Sequence, residues 1–331
     1  MSKTTWTFST AYVVSDEQIY VAASADTYED FAKFTALYKW CPALSNGDPD
    51  ADWRYKNVNW RATSVTALVP SEGEDWWLCA ASEEGEIQFS NNGFSIETVQ
   101  GAGVHSKTAG GWGYLSDLQQ IGEHLYVAGY AGQVYKRLGP NQWIHFDEGI
   151  LQPSGMQGGQ YSVQVINGPH EKAIYIAGCV NAPYYPARAS FWDGKSWQDI
   201  KLPEIAERIT NLYIESESQI WMCGANGTLL LGNAIDGFRS LSTVDDNQLF
   251  LSICKFHGLI YLGSNMGLFV YNVNEHSKGI RKVVSGMTPE IQDANIVDSA
   301  DKFLWSIGSK DITRFDGVKW ERIHHPDNIK I

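Results

Sequence analysis

Residue types that can do chemistry are present in this sequence, but not in the spacings that catalysis uses. Gly263-Ser264 and Gly308-Ser309 lack the pattern of a G-x-S-x-G nucleophile elbow. His170-Glu171 is not followed by a second histidine at the position that a zinc-binding helix needs. Gly194-Lys195-Ser196 lacks the first glycine of a phosphate-binding loop, because Ala189 stands in its place. The sequence therefore predicts no catalytic residues and no cofactor.

Three aspartates at alternate positions, Asp48, Asp50 and Asp52, are the candidate metal ligands. Carboxylates spaced in this way on a loop can converge on Ca²⁺. An EF-type loop would continue with glycine and place an acid at its twelfth position, where Trp53 and Asn59 stand. A calcium loop of another kind is one interpretation. A solvated acidic turn is the other, and we favour it.

The elements that would position any site are seven copies of one short motif. Each copy is an apolar run around an aromatic residue, followed by a small residue and a turn. The aromatic residues are Tyr20, Trp77, Tyr126, Tyr175, Trp221, Tyr261 and Trp305. Their spacing of 40 to 57 residues fits one four-stranded blade per repeat. The sequence predicts an all-β chain, a seven-bladed β-propeller of four-stranded antiparallel blades around a central axis, built as a single domain over residues 1–331.

The repeats also predict where each blade lies. The expected blades are approximately residues 6–60, 61–104, 114–147, 161–202, 209–241, 249–284 and 294–325. Some copies end on an Asp-Gly turn that delivers a tryptophan to the outermost strand, as Asp193-Gly194 does for Trp197 and Asp316-Gly317 for Trp320. No segment of one terminus is visible as a strand for the other terminal blade. The sequence thus leaves the closure of the propeller open.

The repeat unit consists of an apolar run, a Gly turn, an aromatic strand and the motif D-G-x-x-W. It resembles the repeats of bacterial seven-bladed propellers in the broad kelch-like and YVTN-like superfamily. The resemblance covers nearly the whole chain and implies the propeller architecture. That fold hosts enzymes, lectins and scaffolds alike, so the resemblance carries no functional residues to this chain.

The charge of the chain bears on the kind of partner it would bind. The formal net charge is -13, and residues 1–100 contain fifteen acidic against six basic residues. An acidic surface repels phosphate backbones and anionic lipids, which argues against nucleic acid or membrane as the main partner. The charge instead predicts a basic protein partner. The alternative is that acidic residues simply keep the protein soluble.

Several features predict a cytoplasmic protein. Residues 1–14 lack the apolar region of a secretory signal, and no run approaches the length of a membrane span. Five cysteines, an odd number, suit a reducing compartment. Cys79 and Cys223 stand where other copies of the repeat carry alanine or glycine, so we expect buried packing thiols.

Long loops are the best guide to a binding site, because loops on a rigid scaffold carry function. Three long segments, residues 99–113, 147–160 and 179–188, should emerge on one face of blades 2 to 4. Aromatic residues, methionine and arginine are the types that anchor protein interfaces. The predicted partner-binding residues are His105, Trp112, Tyr130, Met156, Tyr184, Tyr185 and Arg188. The alternative is that these side chains fold back onto the propeller.

Together these features predict a non-enzymatic protein-binding propeller, in its most specific form an immunity-type protein that neutralises a toxic effector. A propeller that binds a glycan or small molecule, or an enzyme with its site in the axial funnel, is the second class of function. Histidines from different blades could meet at such an axis: His105, His124, His145, His170, His257, His276, His324 and His325. A structural subunit of a larger assembly is the third.

Overall fold

The structure, a computed structural model, describes residues 5–27, 33–42, 49–69, 76–90, 93–152, 159–204, 207–242 and 248–328. In these residues, 28 strands form seven antiparallel sheets, and each sheet takes four strands that follow one another in the sequence. The predicted fold class is confirmed: the chain is an all-β, seven-bladed β-propeller. Its residue contacts divide it into two compact units, residues 63–247 and residues 1–62 with 248–331.

The unit of residues 63–247 contains blades 2 to 5. Blade 2 is β5 (Ala62–Leu68), β6 (Trp77–Ser82), β7 (Glu86–Phe89) and β8 (Ile96–Thr98); blade 3 is β9 (Leu115–Ile121), β10 (His124–Gly129), β11 (Val134–Gly139) and β12 (Gln142–His145). Blade 4 is β13 (Gln160–His170), β14 (Ala173–Asn181), β15 (Ala187–Trp192) and β16 (Trp197–Ile200); blade 5 is β17 (Ile209–Ser216), β18 (Gln219–Gly224), β19 (Leu229–Asn233) and β20 (Gly237–Ser240). The first strands of neighbouring blades, β9, β13 and β17, lie against one another.

The other unit contains blades 1, 6 and 7. Blade 1 is β1 (Trp6–Ser15), β2 (Gln18–Ala25), β3 (Thr35–Trp40) and β4 (Trp53–Val58); short 3₁₀ helices span Pro49–Asp52 and Val273–Lys278. Blade 6 is β21 (Phe250–Phe256), β22 (Leu259–Ser264), β23 (Gly267–Tyr271) and β24 (Arg281–Lys282); blade 7 is β25 (Ile296–Ala300), β26 (Phe303–Ile307), β27 (Ile312–Phe315) and β28 (Trp320–Ile323). Among the described residues, no helix has the length and apolar character needed to cross a bilayer.

The repeated apolar run is the second strand of each blade, and it is buried on both faces. In β10, the side chains of Tyr126, Val127 and Ala128 are fully buried. Because a strand covered on both faces has no side exposed to solvent, its sequence is a continuous apolar run, and this run recurs in every blade. Cys79 and Cys223 lie within these strands and are also fully buried. Burial raises the pKa of Cys223 to about 12, so its thiol packs as a small apolar group.

The Asp-Gly turns form as their sequence predicts. Gly194 and Gly317 adopt φ values of +89° and +96°, which glycine tolerates without steric cost. The carboxylate of Asp316 accepts the backbone N–H groups of Val318 and Lys319 at 2.8 and 2.7 Å. Such a side-chain bond to the next residues is the usual means by which aspartate starts a turn.

The first and last blades join without exchanging a strand. All four strands of blade 1 come from the N-terminal part of the chain and all four of blade 7 from the C-terminal part. Strand β1 lies against β25, and the N–H of Phe8 donates to the carbonyl of Ser309 at 2.8 Å. Residues 324–328, which we call the terminal latch, then cross from blade 7 onto blade 1: the indole N–H of Trp53 donates to the carbonyl of His324 at 2.9 Å.

A carboxylate also lies at the junction of blades 7 and 1. Asp298 in β25 accepts the N–H of Ser299 at 2.8 Å and a backbone hydrogen bond from Val13 in β1. Burial raises the pKa of Asp298 to about 6, because the cost of desolvating the charge exceeds what these two donors return.

We expect Asp298→Asn to change the pH dependence of stability. An unfolded aspartate titrates near ~4, so the folded chain holds this proton more tightly than the unfolded chain does. The protonated carboxyl therefore contributes to the free energy of unfolding in full below about pH 4, and this contribution is lost as the pH rises through about 6. The whole contribution is on the order of 2–3 kcal/mol. Asparagine cannot ionise, so the variant should gain melting temperature relative to wild type between about pH 4.5 and 7.5. The exposed Asp301→Asn is the control; an equal gain in both variants would refute the role of Asp298.

Candidate partner-binding surface

The loops of blades 2 to 5 meet in one continuous surface within residues 63–247. We call it the loop surface: residues 99–114, 130–133, 181–186, 207–208 and 225–228. Its segments are tied together by backbone hydrogen bonds. The N–H of Tyr130 donates to Tyr114, and the N–H of Gly132 donates to Tyr161 at the start of blade 4. Further along, the N–H of Arg208 donates to the carbonyl of Tyr185.

The longest of these loops, residues 99–114, is built around the carboxylate of Glu84. One oxygen accepts the N–H groups of Val104 and His105 at 2.8 and 2.9 Å, and the other lies 2.7 Å from Nδ1 of His105. Gly103 approaches the Glu84 backbone so closely that a Cβ there would lie 2.7 Å from its carbonyl oxygen. Burial alone would raise the pKa of Glu84, but the donors of His105 and Val104 outweigh it and hold the pKa below its ordinary value. An ionised carboxylate thus fixes the loop that presents His105.

Glu84→Gln should loosen this loop without unfolding the blade. The amide keeps one acceptor oxygen but loses the charge that two backbone N–H groups and His105 share, which we expect to cost about 1–2 kcal/mol. Hydrogen exchange of the Val104 and His105 amides should accelerate at least about ten-fold. Because the pKa of Glu84 is lowered on folding, the difference from wild type should shrink as the pH falls below about 4.5. The exposed Glu148→Gln is the control; unchanged exchange in Glu84→Gln would contradict the role of Glu84.

His105, Trp112 and Tyr130 lie on neighbouring loops at the junction of blades 2 and 3. The ring of His105 lies 6.3 Å from that of Tyr114, and residue 113 packs against Tyr130, since a Cβ on Gly113 would lie 2.7 Å from that of Tyr130. The side-chain amide of Gln133 donates to the carbonyl of Gly113 at 2.9 Å and holds the two loops together. Trp112 is half-buried, whereas His105 and Tyr130 are exposed.

Tyr184 and Tyr185 protrude from the loop between β14 and β15. Their side chains are 88% and 53% exposed, and both backbones are left-handed, with φ of 71° and 42°. A non-glycine residue in this region costs roughly 1–2 kcal/mol, so two in succession need support from their surroundings. That support is local: the N–H of Tyr185 donates to Ala182 at 3.0 Å and the N–H of Val180 to Pro186 at 2.9 Å.

The neighbouring loops brace the tyrosine pair from the side of blade 5. Pro186 forms a β-bridge with Glu207, next to the hydrogen bond from Arg208 to Tyr185. The carboxylate of Glu207 accepts the amide N–H of Asn226 at 3.1 Å and so links this brace to the Asn226-Gly227 turn. The tyrosines are therefore exposed, strained and held in place, which is typical of residues that meet a partner.

The other predicted residues lie elsewhere or outside the described residues. Arg188 in β15 pairs with Asp199 at 3.0 Å and stacks 4.5 Å from the ring of Tyr161, which leaves its side chain 21% exposed. Its guanidinium thus contacts two side chains of blade 4. Met156 and Asp48 fall outside the described residues. Asp50 is exposed and Asp52 buried in the 3₁₀ helix Pro49–Asp52, and the calcium interpretation of this segment stays a prediction.

The histidines are spread over separate local contacts. His124 Nδ1 lies 2.6 Å from Glu171, His276 Nδ1 lies 2.7 Å from the hydroxyl of Tyr271, and the ring of His257 stacks at 3.9 Å on Phe256. In the parts of the chain that the structure describes, no three His, Cys, Asp or Glu side chains are grouped as metal ligands would be.

Fold and surface define a class of protein: a seven-bladed β-propeller with a braced loop surface on blades 2 to 5. No family model matches the chain. In structure it is similar to the WD40 propeller of Doa1, with a TM-score of 0.59 and 13% identity over 95% of both chains. It is equally similar to the WD40 repeats of RRP9, with a TM-score of 0.59 and 13% identity over 96% of this chain and 91% of that one. The extracellular domain of BT4673 from B. thetaiotaomicron matches with a TM-score of 0.60 and 12% identity over 95% of this chain and 40% of that one. At these identities the likeness shows the fold alone.

In sequence the chain is similar to a particular protein of Pseudomonas aeruginosa strain PAO1, the Immune protein Tsi7. The two are 30% identical over 220 residues. The aligned region covers 65% of this chain and 65% of the relative's length.

Sequence reasoning did not find the residues that build the loop surface. Glu84, Gln133 and Glu207 are polar residues in ordinary turns, and nothing in their spacing reveals that their side chains hold neighbouring loops. The glycines of residues 99–114 are the signal that could have indicated a tightly built loop, because Gly103 and Gly113 combine positive φ with close approach to neighbouring chain segments.

Proposed function

We propose that this protein is a cytoplasmic immunity protein that binds a protein toxin through the loop surface and blocks it without chemistry of its own. The observation that carries the proposal is the similarity to the Immune protein Tsi7, at 30% identity over 220 residues. A propeller is a rigid scaffold that presents loops from several blades to one partner. The exposed loops of this chain provide such a surface.

The tyrosine pair is the proposed centre of the interface. Tyrosine brings a large contact area with few rotatable bonds and a polar end, and it is enriched among the residues that dominate binding energy. Tyr184 and Tyr185 are already fixed by the brace from Pro186 and Arg208, so little conformational entropy is lost when a partner covers them. His105, Trp112 and Tyr130 would extend the contact toward blade 2.

Charge supports a basic partner. The net charge of -13, most of it in the first 100 residues, attracts a cationic domain over distances longer than direct contact. Steering of this kind raises the association rate and weakens as salt shortens the Debye length to less than ~5 Å near half-molar salt. The affinity of the complex should therefore fall with ionic strength, mainly through slower association.

The partner can be found by affinity capture from the native host's lysate at about 50 and about 500 mM salt. We expect one basic protein to be retained at low salt and released at high salt, and this protein should arrest growth when it is expressed alone. A retained protein that is harmless, or that is acidic and unaffected by salt, would count against the proposal.

Replacing the tyrosine pair should abolish tight binding but leave the fold intact. Truncation of a central interface tyrosine costs about 2 kcal/mol or more, so Tyr184→Gly with Tyr185→Gly should weaken binding by at least about 100-fold. Glycine accepts positive φ, so the free energy of unfolding of this variant should lie within about 1 kcal/mol of the wild-type value. Its melting temperature should exceed that of the corresponding double alanine variant. Calorimetric titration with the captured partner and thermal unfolding measure the two effects.

The matched control for the tyrosine variant is Ile235→Ala. Ile235 is equally exposed, at 88%, and lies in the same compact unit, but it occupies the turn between β19 and β20 at the other end of its blade. Ile235→Ala should bind like wild type. If both variants bind like wild type, the loop surface is not the interface.

A further inference from the structure

A groove with an apolar wall lies between blades 2 and 3, at the end of the sheets opposite the loop surface. Its volume is about 290 Å³. Apolar side chains form most of it, and three ionisable groups stand among them; the lining is Leu68, Trp77, Glu123, His124, Leu125, Arg137, Leu138 and Pro140. Sites for small molecules span roughly 300–1,000 Å³, so this groove suits one large side chain better than a whole cofactor.

Hydrogen bonds between the blades keep the groove from collapsing. Glu97 of blade 2, nearly buried, accepts Nε and Nη2 of Arg137 at 2.9 and 2.6 Å and the indole N–H of Trp143 at 2.9 Å. At the rim, the side-chain amide of Gln120 accepts the backbone N–H of Val69 at 2.8 Å and donates back to its carbonyl at 2.9 Å. Both walls are thereby fixed to one another before anything binds.

The same bonds determine which charge the groove offers. Arg137 pairs with Glu97 at 2.6 Å, and Glu171 pairs with Lys136 at 2.7 Å while its other oxygen lies 2.6 Å from Nδ1 of His124. Glu123 is exposed, and among the described residues no cation pairs with its carboxylate. The groove thus combines an apolar wall with one carboxylate, that of Glu123, that no described cation balances.

The apolar wall of the groove is open to solvent. Leu138 is 49% exposed and lines the same space as Leu68 and Leu125, so an apolar side chain seated there would remove this surface from water. We infer that this groove is a second docking site, which takes a polypeptide segment presenting one large apolar side chain flanked by lysine or arginine. The inference goes beyond the proposed function and does not depend on it.

Three short capped peptides test the apolar and the charge requirement of the groove separately. They are acetyl-Lys-Phe-Lys-amide, acetyl-Glu-Phe-Glu-amide and acetyl-Lys-Ser-Lys-amide. Each is titrated into the full chain while two-dimensional ¹H–¹⁵N NMR follows the Trp77 indole and the amides of Leu125 and Leu138. The Lys-Phe-Lys peptide should shift these signals saturably. The other two should bind at least about ten-fold more weakly, since one has the wrong charge and the other no apolar side chain.

Variants of the groove complete the test. Leu138→Gln removes apolar wall at a half-exposed position and should weaken the Lys-Phe-Lys peptide about five-fold or more, whereas Ile235→Gln should not. Glu123→Gln should reduce the preference for lysine over glutamate peptides. Tyr184→Gly with Tyr185→Gly should leave peptide binding unchanged, so failure of this inference is distinct from failure of the proposed function. Equal shifts with all three peptides, or shifts scattered away from the groove, would overturn it.

Discussion

Replacing Asp117 with alanine should destabilise blades 2 to 4 together. Asp117 in β9 is buried, and its carboxylate accepts the hydroxyl of Ser64 in β5 at 2.9 Å and the backbone N–H of Ile166 in β13 at 2.9 Å. It thus joins the first strands of three blades. Alanine removes the acceptor of both donors: the N–H of Ile166 loses its carboxylate, and the Ser64 hydroxyl keeps only a longer contact, 3.4 Å, with the carbonyl of Leu118. We expect this loss to cost roughly 3–5 kcal/mol out of a total of about 5–15. Urea unfolding followed by fluorescence and circular dichroism would measure the loss.

Asparagine is the informative comparison at this position. Burial raises the pKa of Asp117, so the ionised carboxylate is held at a desolvation cost that a neutral amide avoids. The oxygen of the introduced amide can accept from Ile166 while its nitrogen donates to the oxygen of Ser64. Asp117→Asn should therefore stay within about 1 kcal/mol of wild type. Equal losses for the alanine and asparagine variants would mean that shape, rather than these hydrogen bonds, explains the effect.

The second large effect should come from the terminal latch, residues 324–328. The ring of His325 is buried with its centroid 4.5 Å from that of Tyr38 and 4.7 Å from that of Trp53. The side chain of Asn328 accepts the N–H of Trp6 at 2.8 Å and donates to its carbonyl at 3.1 Å, as another strand would. Removing both side chains, as His325→Ala with Asn328→Ala, should cost about 4 kcal/mol or more.

The latch variant should also show where the chain opens first. Amides of β1 such as Trp6 and Phe8 should exchange much faster in the double variant, because the junction of blades 7 and 1 loses its support. The control is Val318→Ala, since the side chain of Val318 is 91% exposed and lies in the same compact unit. A double variant as stable as this control, with unchanged exchange in β1, would contradict the role of the latch.

The fold followed from the sequence because one feature repeats. A strand buried on both faces must be apolar along its length, so seven such runs at regular spacing predict seven blades. The Asp193-Gly194 and Asp316-Gly317 turns could also be predicted, since positive φ favours glycine.

The closure of the propeller could not be predicted from the sequence. The terminal latch is a short irregular segment, and its residues His325 and Asn328 contact residues more than 270 positions away.

The loop surface could be predicted only in part. Loop length and exposed aromatic residues indicated Tyr184 and Tyr185, which the structure leaves open to solvent. The same reasoning selected Arg188, whose guanidinium pairs with Asp199 and stacks on the ring of Tyr161, and its role in binding stays a prediction. Residues that hold loops in place, such as Glu84, act through tertiary contacts that leave no periodic trace in a sequence.

The measurement that tests the account most directly is survival of cells that co-express the captured toxin with this chain. Wild type and Ile235→Ala should restore growth, whereas Tyr184→Gly with Tyr185→Gly, present at the same level and with the same melting temperature, should not. Growth restored equally by all three would contradict neutralisation through the tyrosine pair. Growth restored by none would contradict the immunity function itself.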